Sequence, residues 1–490
     1  MPQPSHVASA FRLGYTASVV KRARAVIICH SLLPICTGFR SQETRGAIML
    51  RRLTRRSALG SAVLSGALLA ACRTTGTGGT DQASKPARYD NITLQLWGSY
   101  GAGEREALLK YYDRFAQEQA PGLTVEIQIY SNADFMSKLI AALAGGTGPD
   151  FTRFKEYQAI DMAYKKAAVA LDGYLSREKN LKLTDFTQQS VEGSQYQGKL
   201  YGIPHHHQFV MMGWNKELFK IAGLDPERGP QTWQELREYA KKLTVPANEQ
   251  WGFRLYEFGP PPREQIFNWF MEWVWRNGGD VWNQDRTRCT VDSPESIEAM
   301  QFMLDLMYAD RSTIPPSERQ IGIETGKLGI WMPTGAGVLN LRTTQPHLNF
   351  GLGPMPKQKQ FATQLQHNTF SIMENSRLKD LAWQAIVFMC RDDIMQAWQS
   401  DPAISTLPVK KALFEKPPWS DPASGWKPII DVLRMPGNRP KPHIPDWDEY
   451  TEKNIVPYLT EAWRQQRSPK DALGEAARQA NLWLSQRQRG

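Results

Sequence analysis

From Asn91 onward the chain keeps switching its hydrophobic period, which limits it to folds that layer helices on a sheet. Asn91-Ile92-Thr93-Leu94-Gln95-Leu96-Trp97 alternates apolar and polar residues, as a strand with one buried face does. After a turn at 98–103, Leu108, Tyr111, Tyr112 and Phe115 recur at helical spacing. Residues 123–130 repeat the strand pattern, and Phe135, Leu139 and Leu143 repeat the helix. Strand, helix, strand, helix with short joints reads as α/β with a largely parallel sheet. Later, Thr232 and Glu235 form a capping box before the stripe Trp233, Leu236, Ala240 and Leu243. Ser293-Pro294 opens a helix with Met300, Met303, Leu304 and Met307 on one face. Residues 378–399 read as one long amphipathic helix, and 402–445 as Pro-rich connection and loop.

The sequence ahead of this region reads as a leader. Arg51, Arg52, Arg55 and Arg56 precede the 14-residue apolar stretch Ala58–Ala71, too short to span a bilayer and suited to a signal-peptide core. Leu69-Ala70-Ala71 before Cys72 resembles the lipobox of bacterial lipoproteins, whose cysteine thiol is lipidated before cleavage. Thr54-Arg55-Arg56-Ser57-Ala58-Leu59 also resembles a twin-arginine export signal, and Met49 is the more natural start. Residues 73–89 hold almost nothing to bury, so a flexible tether of roughly 20–25 Å is expected. The expectation is an exported protein, lipid-anchored at Cys72 on the periplasmic or extracellular face of a membrane.

Residues 1–71 carry ten of the 59 basic residues and one of the 49 acidic ones, leaving 49 against 48. The basic character therefore belongs to the leader and is no argument for nucleic acid binding. The 419 residues from Cys72 onward are too many for one hydrophobic core, so two domains are expected. Only Cys289 and Cys390 follow Cys72, too few for a disulfide framework or a cysteine-rich zinc site.

A set of motifs then falls in a fixed order. It runs from Gly145-Gly146-Thr147-Gly148-Pro149-Asp150 through Gly202-Ile203-Pro204, Trp214-Asn215-Lys216-Glu217-Leu218-Phe219, Ala222-Gly223-Leu224 and Pro230-Gln231-Thr232-Trp233. Asn277-Gly278-Gly279-Asp280, Gly326-Lys327-Leu328-Gly329-Ile330, Leu352-Gly353-Pro354-Met355-Pro356 and Leu407-Pro408 continue it. This order resembles the family 1 extracellular solute-binding proteins, the maltose-binding-protein-like, sugar-type receptors of ABC importers. The family usually has Tyr-Asn where this chain has Trp214-Asn215, a departure that bears on packing. The resemblance implies two α/β lobes of the Venus-flytrap type (type II periplasmic binding protein), joined by a multi-segment hinge and closing on a ligand. It places lobe one at 90–208 plus 364–411 and lobe two at 212–362 plus 415–490, with the first crossing near 209–212. It also implies a sugar ligand, partnership with ABC permease transmembrane subunits, no cofactor and a monomer.

A sugar needs aromatic plates for its ring faces and planar polar groups for its hydroxyls. Trp97 and Tyr100 stand at the C-terminal edge of the first strand, where ligands of open α/β sheets gather. Trp447 sits where the resemblance places a late lobe-two aromatic. Asp150 either meets ligand or caps its turn, and Arg153, Lys155 and Glu156 end the next strand. The resemblance adds Glu257 and Gln208; His367 and Asn368 fall where the chain recrosses, and Thr334-Gly335 turns toward the cleft. Of the ten aromatics in 251–282 most read as core, Trp269 and Trp273 forming a helix stripe. His205-His206-His207 is a poor metal site, because consecutive residues in a strand alternate faces. His206 is instead taken as a cleft residue able to bond a hydroxyl or an acidic sugar.

An exported glycoside hydrolase would need two carboxylates flanking one bond, roughly 5–10 Å apart. No nucleophile elbow, metalloprotease helix or phosphate loop is present. A receptor for another solute, such as a polyol or glycerophosphodiester, is the nearer alternative.

Overall fold

The computed structural model describes residues 88–99, 103–131, 134–255, 264–314, 321–442 and 444–487. The leader, Cys72, Tyr100 and Glu257 lie outside these residues. Two main sheets organise the rest. In the first, the order is Thr124–Tyr130, Thr93–Ser99, Phe151–Lys155, Gln366–Ile372, Ile203–Gln208. Its three N-terminal strands are parallel, as their connecting helices require; the other two pairings are antiparallel. The second sheet runs Phe350–Gly353, Met212–Asn215, Leu328–Trp331, Trp251–Phe253, and only its last pair is parallel. Parallel pairing in the two main sheets, expected from the sequence to predominate, is thus limited to the first three strands and that one pair of the second sheet. Strands entering from the other sheet need no helical crossover, so nothing obliges them to run parallel.

The chain leaves the first sheet at Gln208 and enters the second at Met212, a step of three residues, Phe209, Val210 and Met211. It returns through Thr363–Gln364, which pairs in parallel with Asn438–Arg439. Each sheet has its own core. Leu94, Leu96, Tyr112, Phe115, Phe151 and Trp398 belong to one, and Trp233, Phe267, Trp273, Met300, Tyr450 and Trp463 to the other. Full burial of such side chains contributes about 1.5–3 kcal/mol each. Trp419, Trp426, Ile429 and Ile430 join the first core, although residues from 415 onward were expected with the second lobe.

The capping signals operate as read. Thr232 Oγ1 accepts the Glu235 N–H at 3.1 Å, and Trp233, Leu236, Ala240 and Leu243 are buried behind it. Ser293 Oγ accepts the Ser296 N–H at 3.2 Å, and the following helix passes into a π-type turn at Asp305–Ala309. The single helix expected over 378–399 is two, Lys379–Met389 and Asp392–Ser400, because Arg391 turns extended and starts a new helix. Cys289 and Cys390 are free and buried, and burial pushes their thiols up to about 11 and about 12. Among the described residues, no helix is long and apolar enough to cross a membrane.

Candidate functional site

A chamber of about 310 Å³ gathers residues from the first sheet, from a helix packed on the second core and from both crossings. Lys155, the last residue of its strand, and the paired Gln208 and Gln366 line it from the first sheet. Asn268, Trp269 and Glu272 line it from the helix Glu264–Arg276, which packs on the second core. Val210 and Gln364 come from the crossings, and Thr334 from the turn that caps the helix Gly335–Thr344.

The polar groups of this chamber are under-satisfied. Gln364 is 1% exposed, yet neither its amide oxygen nor its amide nitrogen has a hydrogen-bond partner. Asn268 is 3% exposed and its Oδ1 is likewise unmet. Buried polar groups are nearly always paired, and an unpaired one costs about 1–3 kcal/mol. Beside them the half-buried Trp269 supplies a plate, and Glu272 is ion-paired with Arg276 and raised above the usual carboxylate range by burial. A plate, a carboxylate and free amide ends form a surface for a compact, hydrogen-bonding solute.

Of the residues expected from sequence, Lys155, Gln208 and Thr334 meet here. The other expected residues that are described do not line the chamber. Trp97 packs on Tyr130, ring centroids 5.1 Å apart, at the edge of a small core around Phe135. Asp150 serves the fold: it accepts the Gln95 N–H at 2.9 Å and the Ser376 hydroxyl at 2.6 Å. Arg153 is buried, donating to Glu104 at 3.1 Å and to His206 Nε2 at 3.5 Å. Gly335 packs toward Leu407, and half-buried Asn368 is in register with Lys155 and His206. Trp447 is fully buried against Phe267, because the helix it begins docks on the second core.

His206 and His367 are also fully buried. Arg153 can only donate, so His206 carries its proton on Nδ1, 2.8 Å from His205 Nδ1. His207 Nε2 is 2.8 Å from the Thr187 hydroxyl, and His367 Nε2 is 2.9 Å from that of Ser194. Burial holds His205 and His206 well below the usual imidazole range and lowers His207 to about 4. Among the described residues, no group of three or more His, Cys, Asp or Glu could hold a metal ion.

A second polar junction lies beside the chamber. Glu156 is 2% exposed and raised by burial, with Lys441 pulling the other way. The Lys441 ammonium stands 3.7 Å from the Tyr157 ring centroid and 4.3 Å from that of Trp447. Asp446 accepts from Lys165 and Arg487, and its N–H donates to Asp161 at 2.6 Å. Burial, with Asp446 and Asp448 adding to it, raises Asp161 to about 7.

Sequence reasoning missed Asn268, Glu272, Gln364 and Gln366, and misplaced Trp269 in the core. The only available signal for the last pair was the polar run from Thr363 to Asn368, interrupted by Leu365, at a crossing.

Comparison with known proteins fits this architecture. A putative binding protein of Brucella abortus is 24% identical over 344 residues, covering 69% of this chain and 80% of that protein. An ABC substrate-binding protein of Listeria monocytogenes, solved in complex with cycloalternan, superposes with a TM-score of 0.71 at 22% identity, covering 81% of this chain and 100% of that one. An ABC transporter solute-binding protein of Thermotoga lettingae, bound with α-D-tagatose, also gives 0.71, at 20% identity, covering 80% and 100%. These likenesses establish the two-lobed type II binding-protein fold. The profile of the bacterial extracellular solute-binding proteins matches residues 101–396, more than half of the 490, and the chain belongs to that family.

Proposed function

We propose that the chain captures a sugar or short oligosaccharide in the Trp269 chamber and delivers it to the transmembrane subunits of an ABC importer. The reading includes export, lipid anchorage at Cys72, and action as a monomer without cofactor or catalysis. It takes lobe one as 90–208 with 364–411 and lobe two as 212–362 with 415–490, residues 415–433 packing across onto lobe one. Closure of the lobes is driven by the extra contacts that a bound solute makes in the closed state.

The observation that carries the reading is the Gln364 amide, buried at the crossing with both ends unmet beside an aromatic plate. A hydroxyl both donates and accepts, so a polyol can satisfy both ends of an amide at once. The sugars bound by the Listeria and Thermotoga proteins are of this chemistry.

Thermal unfolding and calorimetry of the mature protein with mono- to tetrasaccharides and glycerol 3-phosphate test it. A sugar at 100 times its Kd raises stability by about 2.7 kcal/mol and is recovered unchanged. Stabilisation by glycerol 3-phosphate alone would move the assignment to the non-sugar alternative, a receptor for a polyol, glycerophosphodiester or similar solute, and consumption of a sugar would make the protein an enzyme. Cys72→Ala is expected to release the protein from membranes in detergent-free fractionation; retention would remove the anchor.

A further inference from the structure

We propose that Arg276 is a positioning residue of the solute chamber, fixing the Glu272 carboxylate in its wall as an acceptor for solute hydroxyls. The inference rests on the sugar-receptor reading above.

Glu272 and Arg276 lie one turn apart on the helix Glu264–Arg276, with side chains 5% and 1% exposed. Arg276 Nη2 donates to Glu272 Oε2, and the pair is shut off from water on the core side. The guanidinium has little freedom to leave. It lies 5.5 Å from the Trp273 ring centroid, and the Arg276 carbonyl accepts the N–H groups of Gln358, Lys359 and Gln360. The carboxylate is tied to both crossings as well. Thr363 Oγ1 donates to the Val210 carbonyl at 3.0 Å and stands 3.4 Å from Glu272 Oε2. The pair therefore joins the chamber wall to the segments about which the lobes turn.

Its electrostatics need both partners. Desolvation raises Glu272, and the adjoining guanidinium is the largest effect opposing that rise; Lys155 is the cation that lines the chamber itself. Without Arg276 a buried carboxylate would face the chamber uncompensated and would take up a proton instead. It would then no longer be a pure acceptor.

The test follows the Glu272 side-chain carboxyl by ¹³C NMR across pH, assigned by its loss in Glu272→Gln, alongside calorimetry with D-tagatose and maltose. In Arg276→Gln the carboxyl is expected to titrate at least about one pH unit above the wild type. Sugar affinity should fall about tenfold at pH 7 and recover toward alkaline pH. Arg276→Lys should keep the wild-type midpoint. Equal midpoints in wild type and Arg276→Gln would overturn the proposal, whatever happens to stability. Should Arg276→Gln fail to fold, the double variant Glu272→Gln/Arg276→Met removes both charges. Weakened, pH-independent binding supports the proposal, and wild-type affinity overturns it. If the wild type binds none of the mono- to tetrasaccharides, the receptor reading fails separately, and the carboxyl titration still decides the role of Arg276.

Discussion

The chain holds a larger cavity than the chamber of Gln364, and the contrast between the two is instructive. About 840 Å³ opens beside the π-type turn at Asp305–Ala309, lined by Trp251, Leu304, Met307, Tyr308 and Thr313 among others. Its polar groups are mostly engaged already. Tyr308 donates to the Trp463 carbonyl at 2.7 Å, the Gln301 amide to Asp305 at 2.8 Å, and Ser468 to Asp471 at 2.7 Å. Thr313 Oγ1 is the exception, buried without a partner. The smaller chamber leaves a whole amide and a carbonyl unmet and draws its walls from the first sheet, both crossings and a helix of the second core. Unmet hydrogen-bonding capacity, rather than volume, separates a place prepared for a solute from a gap between packed elements.

The sharpest way to break this contrast is Trp269→Ala. Loss of the plate is expected to cost about 3 kcal/mol of sugar affinity, near a hundredfold by calorimetry, with folding retained. An unchanged Kd would take the solute out of the smaller chamber.

Protonation gives the next effect. Asp161 belongs to the helix that starts just after Lys155, and its folded value near 7 exceeds its ordinary 3.8. Its contribution to stability is therefore fully present below about 3.8 and is lost as pH rises through about 7. Asp161→Asn removes that titration. The wild type should lose about 4 kcal/mol relative to the variant between pH 4 and pH 8, read from paired denaturation curves. Parallel stability profiles would show that Asp161 does not titrate on folding.

Gln364→Leu should act in opposite directions on binding and folding. Sugar affinity falls roughly tenfold, while stability rises by about 1 kcal/mol as an unsatisfied buried amide disappears. A loss of stability would mean that the amide serves the fold. The smallest effect is expected from Met307→Trp, which fills the larger cavity: the Kd should move by less than about twofold. A large change there would reverse the comparison.

The sequence exposed the parts of this design that periodicity encodes. Alternation marked Asn91–Trp97 as a strand, and the Thr232 and Ser293 caps marked helix starts, because each rests on neighbours in sequence. Strand direction in the mixed sheets was hidden, since it depends on where the chain crosses. The same limit explains Trp269. Spacing set it on one helix face with Trp273, which is right, but periodicity says nothing of where along its axis that face leaves the core. Trp447 fails conversely: its position in the family order suggested the cleft, and docking on Phe267 and Tyr450 covers it. Gln364 and Asn268 carry no pattern at all, and only their unmet atoms in three dimensions mark them.

The step from Gln208 to Met212 has a final consequence. Phe209 and Met211 are buried within it, and the Val210 carbonyl is held by Thr363. A linker this short and this covered offers a protease no bond to cut.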